Sequence, residues 1–211
     1  MRITDDELLL YAVTDSRWTG DKTLLQQIEE ALKGGVTLVQ LREKDLSEEE
    51  FLEEAKKAVD LCHSYGVKLI INDSIDVALK SGADGVHVGQ SDMPAGKVRE
   101  IAGDKLIIGT SAKTVEDAKR AQDEGADYLG VGACFGTSTK GDARKIDLNV
   151  LNELSEAVDI PIVGIGGITK ENMGELKGRG IKGVALVSAI FAAEDIAKEC
   201  SELKKLVKEL V

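Results

Sequence analysis

Aromatic residues are scarce in this chain of 211 residues, at 3% of the composition, and that scarcity removes the stacking platforms that hold single-stranded nucleic acids. Positive charge is also short. The formal net charge of −11 makes a field that repels phosphate backbones and anionic lipid, so neither nucleic acid nor a membrane surface is expected as a partner. Proline occurs only twice, which leaves no room for a proline-rich linker between domains. Cys62, Cys134 and Cys200 are an odd number of cysteines without C-x-x-C spacing; they encode neither a disulfide framework nor a structural zinc site, and they imply a reducing compartment. No stretch reaches the roughly 18 consecutive apolar residues of a spanning helix. The opening MRITDDELLLYAVTD lacks the basic segment, apolar run and small-residue cleavage site of a leader, so a cytoplasmic location is expected.

What is present is an alternation. Short apolar runs recur along the chain: LLLYAV from Leu8, TLVQL from Thr37, KLIIN from Lys68, GVHVG from Gly85, LIIG from Leu106, YLGVG from Tyr128, IPIVGIG from Ile160 and GVALVS from Gly183. They are too short for helices, rich in Val and Ile, and mostly without polar alternation, the pattern of strands buried on both faces. Amphipathic stretches separate them. Ser47 and Glu50 form a capping-box signature ahead of Phe51, Leu52, Ala55, Ala58, Val59 and Cys62, and the last segment carries Ile196, Ala197, Cys200, Leu203, Leu206, Val207 and Leu210 at helical spacing.

Roughly eight such strand-helix units of about 26 residues predict a single-domain α/β protein, a (β/α)8 TIM barrel over residues 1–211, with a doubly wound sheet as the alternative. The turns GGVTLV, YGVKLI, GADGVH, GADYLG and RGIKGVA look like one recurring αβ loop, as a closed repeat requires. No G-x-G-x-x-G opens the first helix, which removes the fingerprint of the open sheet.

A barrel sorts polar residues by position, because groups that follow a strand lie on the catalytic face and groups that precede one lie on the stability face. Asp84 and Asp127, in the GAD turns, are demoted on that ground. Gln40, Arg42, Lys44, Asn72, Asp73, Gln90, Asp92, Ser111, the segment Thr137, Ser138, Thr139 and Lys140, then Gly166, Gly167, Val187 and Ser188 should converge on one pocket.

Asp73 and Asp92 would arrive on neighbouring loops and could hold Mg2+, which favours one or two carboxylates completed by water and substrate phosphate. The plainer alternative has Asp73 capping the helix near Ser74 and Asp92 starting the helix near Pro94. In an extended QLREK segment Gln40, Arg42 and Lys44 leave on one side and can meet an anion, the alternative being a solvated cluster with Glu43 and Asp45. The glycine- and hydroxyl-rich GTSTK can wrap a phosphate, or be a mobile polar loop. GIGGI from Gly164, followed one unit later by Val187 and Ser188, matches the backbone phosphate site that barrels build after strands seven and eight. His63 is read as a group meeting a helix dipole, His87 as a satisfied core residue, Cys134 as an unpartnered thiol, and Trp18 as a cover for the first loop.

The segments LYAVTDSRW, GGVTLVQLREK, LIIND, DGVHVGQSDMP, IIGTSAKT, GADYLGVG, TSTK, IPIVGIGGI and GVALVSAI together resemble the thiamine-phosphate synthase family, in order and over nearly the whole chain. The resemblance implies a transferase that joins 4-amino-2-methyl-5-hydroxymethylpyrimidine diphosphate to a thiazole monophosphate, or its carboxylated form, and releases diphosphate. It implies that Gln40, Leu41, Arg42, Glu43, Lys44, Asn72, Ser111 and Lys140 bind the pyrimidine diphosphate. Arg42, Lys44, Ser111 and Lys140 would be catalytic. Asp73 and Asp92 would hold magnesium, and Thr137, Ser138, Thr139, Gly167, Val187 and Ser188 the thiazole phosphate. Ala133 and Gly136 stand where the family often has proline, and Ser74 where it often has arginine. Stabilising the leaving diphosphate would dominate a dissociative substitution that needs no general base. The competing functions are a thiazole tautomerase on the same barrel, an aldolase or epimerase barrel, and a non-catalytic sensor of phosphorylated ligands. A homo-oligomer is compatible with all of them.

Overall fold

The eight apolar runs form eight strands in the computed structural model, which describes residues 2–136 and 145–211. They are β1 Leu10–Val13, β2 Leu38–Leu41, β3 Lys68–Asn72, β4 Gly85–Val88, β5 Ile107–Ala112, β6 Tyr128–Gly132, β7 Ile162–Ile165 and β8 Gly183–Leu186. Each pairs in parallel with the next, and β8 returns to β1, closing the barrel expected from the repeat. Alternate residues point inward. Leu38, Ile70, Ile107, Val163, Ala185 and the two tyrosines Tyr11 and Tyr128 fill the interior. The intervening residues, such as Val39, Leu41, Leu69 and Ile71, pack outward against the helices.

Around the barrel run α1 Asp5–Leu8, α2 Leu24–Gly34, α3 Glu48–Ser64, α4 Ile75–Ser81, α5 Ala95–Ala102, α6 Val115–Asp123, α7 Asn149–Ala157, α8 Ser188–Phe191 and α9 Ile196–Leu210. The capping box read at α3 is formed: Glu50 N donates to Ser47 Oγ at 3.3 Å, and Ser47 N donates to the Glu50 carboxylate at 3.0 Å. The apolar stripe of α9 is buried at Ile196, Cys200, Leu203, Val207 and Leu210. It meets α2 so closely that a Cβ on Gly34 would stand 2.5 Å from Cys200 Cβ. Between β7 and β8 a single 3-10 turn, Met173–Leu176, takes the place of a full helix. No helix among the described residues is long and apolar enough to cross a membrane.

The recurring αβ turn has a common physical function. The residue just before a strand hydrogen-bonds twice to the preceding strand in space. Thr37 N donates to Leu10 O at 2.9 Å while Leu10 N donates to Thr37 Oγ1 at 2.8 Å. Asp84 makes the same exchange with Leu69 and Asp127 with Ile108, each carboxylate accepting the strand amide at 2.8 Å. The two carboxylates are further anchored by His63 Nε2 at 2.9 Å and Arg99 Nη2 at 2.8 Å. Both GAD aspartates therefore tie neighbouring strands together at the amino-terminal face, as their position before a strand foretold.

Room for large rings inside the barrel comes from glycine. A Cβ on Gly109 would stand 2.1 Å from Tyr128 Cζ, whereas Gly174 faces open space. Gly109→Ala should therefore cost about 1–3 kcal/mol through overpacking, lowering the melting temperature by roughly 3–10 °C, while Gly174→Ala should stay within about 0.5 kcal/mol of the parent. Thermal unfolding followed by circular dichroism distinguishes them, and equal stability of the two variants would refute the fit of Tyr128 against β5.

Candidate active site

The parity that fills the barrel floor also fixes what stands above it. One step beyond Leu38, Ile70 and Ile107, or two in the last case, the inward side chains become Gln40, Asn72 and Ser111, and His87 on β4 stands in register with Asn72. These groups line a cavity of about 320 Å3 at the carboxy-terminal ends of the strands, together with Arg42, Asp73, Gln90, Asp92, Lys113, Gly166, Gly167, Val187 and Ser188. Such a mouth is where barrel enzymes place their chemistry.

The two carboxylates reach it by different local devices. Asp73 has a φ of 64°, a left-handed conformation that a short polar side chain tolerates but rarely adopts. Its amide donates to His87 O at 2.9 Å, and Asn72 Nδ2 donates to its Oδ2 at 2.6 Å. The cap of α4 is Ser74, whose Oγ accepts from Val77 N, so Asp73 is not the capping group. Asp92 accepts from Gly89 N at 2.8 Å, closing the turn after β4, while Pro94 stands at the start of α5. Both side chains are exposed and line the cavity. The oxygen donors suit a hard cation that retains water and takes up phosphate, and no cluster of three His, Cys, Asp or Glu exists among the described residues.

Arg42 is drawn into the cavity at the end of β2. Its amide donates to Thr14 Oγ1 at 2.9 Å, and its guanidinium lies 3.7 Å from the Asp15 carboxylate with 11% of the side chain exposed. Asp15 is itself committed to Arg17 at 2.6 Å. Hydrogen bonding from Arg17 holds the Asp15 carboxyl below its ordinary value, against the effect of burial, with the charge of Arg42 adding to it. Arg42 thus has an orienting partner that does not fully neutralise it.

The rest of QLREK is placed elsewhere. Leu41 packs into the outer core, and neither Glu43 nor Lys44 lines the cavity. The physical reason is that β2 ends at Leu41, so the alternation that brings in Gln40 and Arg42 stops before Lys44, which is exposed. Lys113, which sequence reasoning passed over, brings a cation to the cavity from just beyond β5. The readings placed on Thr137, Ser138, Thr139 and Lys140 lie outside the described residues. On the opposite side of the cavity Gly166 and Gly167 adopt φ of 94° and 68°, and a Cβ on Gly167 would stand 1.8 Å from Gly136 O. Only glycine permits that approach.

The thiols take no part. Cys134 is buried with its Sγ on Val131 O, and burial pushes it up to about 11 and Cys62 and Cys200 up to about 12. Trp18 is exposed, its carbonyl accepting from Gln27 Nε2 at 2.8 Å. His87, expected as a core residue, does have partners on both ring nitrogens, Tyr128 Oη and Ser111 Oγ, each at 3.1 Å. It also lines the cavity, which its identity alone did not signal; its inward parity on β4 would have.

A parallel barrel that gathers cationic, acidic and glycine-rich groups at one mouth has the layout of barrel enzymes that act on small molecules. The model of the family described as thiamine monophosphate synthase matches residues 10–190. The chain belongs to that family, and it is by that membership a transferase. It is 51% identical to the thiamine-phosphate synthase of Ruminiclostridium cellulolyticum over 93% of this chain and 94% of that one. The corresponding values for the thiamine-phosphate synthase of Clostridium tetani are 48%, 95% and 96%. Among solved structures, thiamine phosphate pyrophosphorylase from Pyrococcus furiosus superposes with a TM-score of 0.90 at 41% identity, covering 98% of each chain. KGPDC from Streptococcus mutans, at 16% identity and a TM-score of 0.65, shares the fold alone.

Outside the cavity lining, Glu43 and Glu54 each leave one buried carboxylate oxygen without a partner among the described residues. Burial and then repulsion from Glu54 push Glu43 up to about 7. A carboxyl raised in this way contributes stability that is complete below its unfolded value and lost as the pH climbs through about 7. Glu43→Gln should accordingly raise the melting temperature at about pH 8 and bring little gain at about pH 4. A gain of the same size at both would show that ionisation is not the cause.

Proposed function

We propose that this chain joins 4-amino-2-methyl-5-hydroxymethylpyrimidine diphosphate to a thiazole monophosphate, forming thiamine monophosphate and releasing diphosphate in the cytoplasm. The observation that carries the reading is that two unlike groups of residues face one cavity, each suited to an anion. Arg42, Asn72, Asp73 and Asp92 come from β2 to β4, and Gly166, Gly167, Val187 and Ser188 from β7 and β8. A single phosphorylated ligand needs one such group. Two phosphorylated reactants held side by side need both, and the names of the relatives at about half identity agree.

In this reading Arg42 offers a planar fork to the diphosphate as its charge develops, and Asp15 keeps that fork aimed into the cavity. Gln40 and Ser111 hold the pyrimidine ring, and Lys140 and Lys44 contribute positive charge toward the diphosphate. Thr137, Ser138, Thr139, Gly167, Val187 and Ser188 hold the thiazole phosphate. Asp73 and Asp92 would hold Mg2+, which when bound supplies charge neutralisation to the diphosphate. The bond to diphosphate breaks first, the amino-substituted pyrimidine delocalises the cation, and the thiazole nitrogen then attacks. That nitrogen carries no proton, so the step requires no base.

Mixing both substrates with magnesium and following diphosphate release tests the reaction against a tautomerase, an aldolase-type barrel or a sensor, none of which would release it. Chelation should abolish release and added magnesium restore it; full activity in chelator would overturn the metal assignment. Asp92→Ala should lower turnover on the order of a hundredfold, with stability changed by no more than about 0.5–1 kcal/mol because the side chain is exposed. An electron-withdrawing substituent on the pyrimidine should slow single-turnover chemistry strongly, and an unchanged rate would argue for direct displacement.

A further inference from the structure

Five side chains form an unbroken hydrogen-bonded path across the barrel interior. Gln40 Nε2 donates to Tyr11 Oη at 2.6 Å, and the hydroxyls of Tyr11 and Tyr128 lie 2.8 Å apart. Tyr128 Oη stands 3.1 Å from His87 Nδ1, and His87 Nε2 stands 3.1 Å from Ser111 Oγ. The rings are confined. Gly109 leaves the space that Tyr128 fills, and a Cβ on Gly130 would come within 3.2 Å of His87 Cε1. Tyr11 and Tyr128 are buried to 1% and 0% exposure, and that burial holds both phenols above their ordinary range, so each keeps its proton.

Counting hydrogens gives the path a direction. Tyr11 Oη accepts from Gln40, so its own hydrogen goes to Tyr128 Oη. Tyr128 then directs its single hydrogen to His87 Nδ1, and a ring nitrogen that accepts carries no proton. The proton of the neutral imidazole is left on Nε2, aimed at Ser111 Oγ, and Ser111 turns its own hydrogen toward the cavity. Running the path the other way would require the Gln40 amide to be turned over as well, because a donor facing a donor inside the barrel leaves a buried group unsatisfied.

We propose that His87 is a positioning residue: locked by Tyr128 with its proton on Nε2, it makes the Ser111 hydroxyl a donor into the cavity, so the bound ring must present an acceptor nitrogen there. The identity of that ring rests on the function proposed above. Gln40, at the far end, is left with its Oε1 as an acceptor, which suits an exocyclic amino group. A 4-aminopyrimidine carries both kinds of group, and the ring is read by its hydrogen-bonding polarity as well as by its shape.

The chain has two histidines, so nitrogen-15 NMR of histidine-labelled, ligand-free protein above neutral pH resolves both rings, with His63→Gln identifying the exposed one. The expected spectrum shows His87 protonated at Nε2 and bare at Nδ1; a proton on Nδ1 would reverse the path and overturn the proposal. In steady-state assays His87→Asn, which can face Tyr128 but not reach Ser111, should raise KM for the pyrimidine diphosphate about tenfold and leave that for the thiazole phosphate unchanged. His87→Gln, whose amide can extend toward Ser111, should recover most of the loss. Equal losses in the two variants, or a loss shared by both substrates, would mark a merely structural histidine and refute the role. A wild-type protein that turned over neither substrate would instead sink the functional reading, while the ring assignment would still decide the direction of the path.

Discussion

A closed barrel of strands only four to six residues long gives each strand two or three inward positions, and every other property of this molecule is arranged around that restriction. The lower inward positions must be apolar or aromatic, since they pack against one another in one buried cluster. Polar groups are admitted at the upper ones. A slip of one residue in any strand would exchange Gln40 for Leu41 or Asn72 for Ile71 and lose both core and site together. The paired αβ turns guard against that slip. Thr37, Asp84 and Asp127 each lock the start of a strand to its neighbour by two hydrogen bonds, so register is set at the bottom while chemistry is presented at the top.

Anion binding on a chain of net charge −11 is a local matter. At physiological salt the Debye length is about 8 Å, so the surface excess of carboxylate is screened from a ligand seated inside the mouth, whereas Arg42, with its side chain mostly buried, acts at short range in a medium that screens it less. Asp15 keeps that guanidinium in place without cancelling it because Arg17 takes the closer share of the carboxylate. A divalent ion fits the same logic. In the proposed reading, two exposed carboxylates at the mouth would repel a diphosphate by themselves, and a bound cation would convert them from an obstacle into a support.

Much of the fold was legible because it depends on local rules. Unalternating Val- and Ile-rich runs, a capping box at Ser47 and Glu50, and turns repeated at a fixed spacing are features of neighbouring residues, and each appeared as read. The position of a polar group relative to its strand then separated Asp84 and Asp127 from Asp73 and Asp92. What escaped notice was non-local. Tyr11 and Tyr128 are 117 residues apart in sequence, and nothing in LLLYAV or YLGVG announces that the two rings meet inside a barrel. His87 looked like a core residue because its strand is apolar, yet parity turns it inward beside Asn72 and within hydrogen-bond reach of Ser111. Lys44 differs in the opposite sense: alternation predicted it beside Gln40 and Arg42, but the strand stops at Leu41 and Lys44 is exposed outside the cavity lining. Glu43 could not be assigned from its neighbours in sequence, since its surroundings are set by Glu54 on α3.

The four aspartates show how far residue type is subordinate to place. Asp84 and Asp127 each receive a backbone amide and a cationic or neutral ring or guanidine donor, and are partly buried at the closed end of the barrel. Their lone pairs are used within the protein, and a carboxylate so engaged is a cross-link. Asp73 and Asp92 have hydrogen bonds from Asn72 and from Gly89 N, and both side chains open onto the cavity. These donors fix the direction in which each carboxylate faces the cavity. Asp73 is held there in a left-handed backbone conformation, a cost of about 1 kcal/mol or more that packing alone gives no reason to bear. The strain is explained if the carboxylate has to point where a regular turn would not send it, into the cavity it lines.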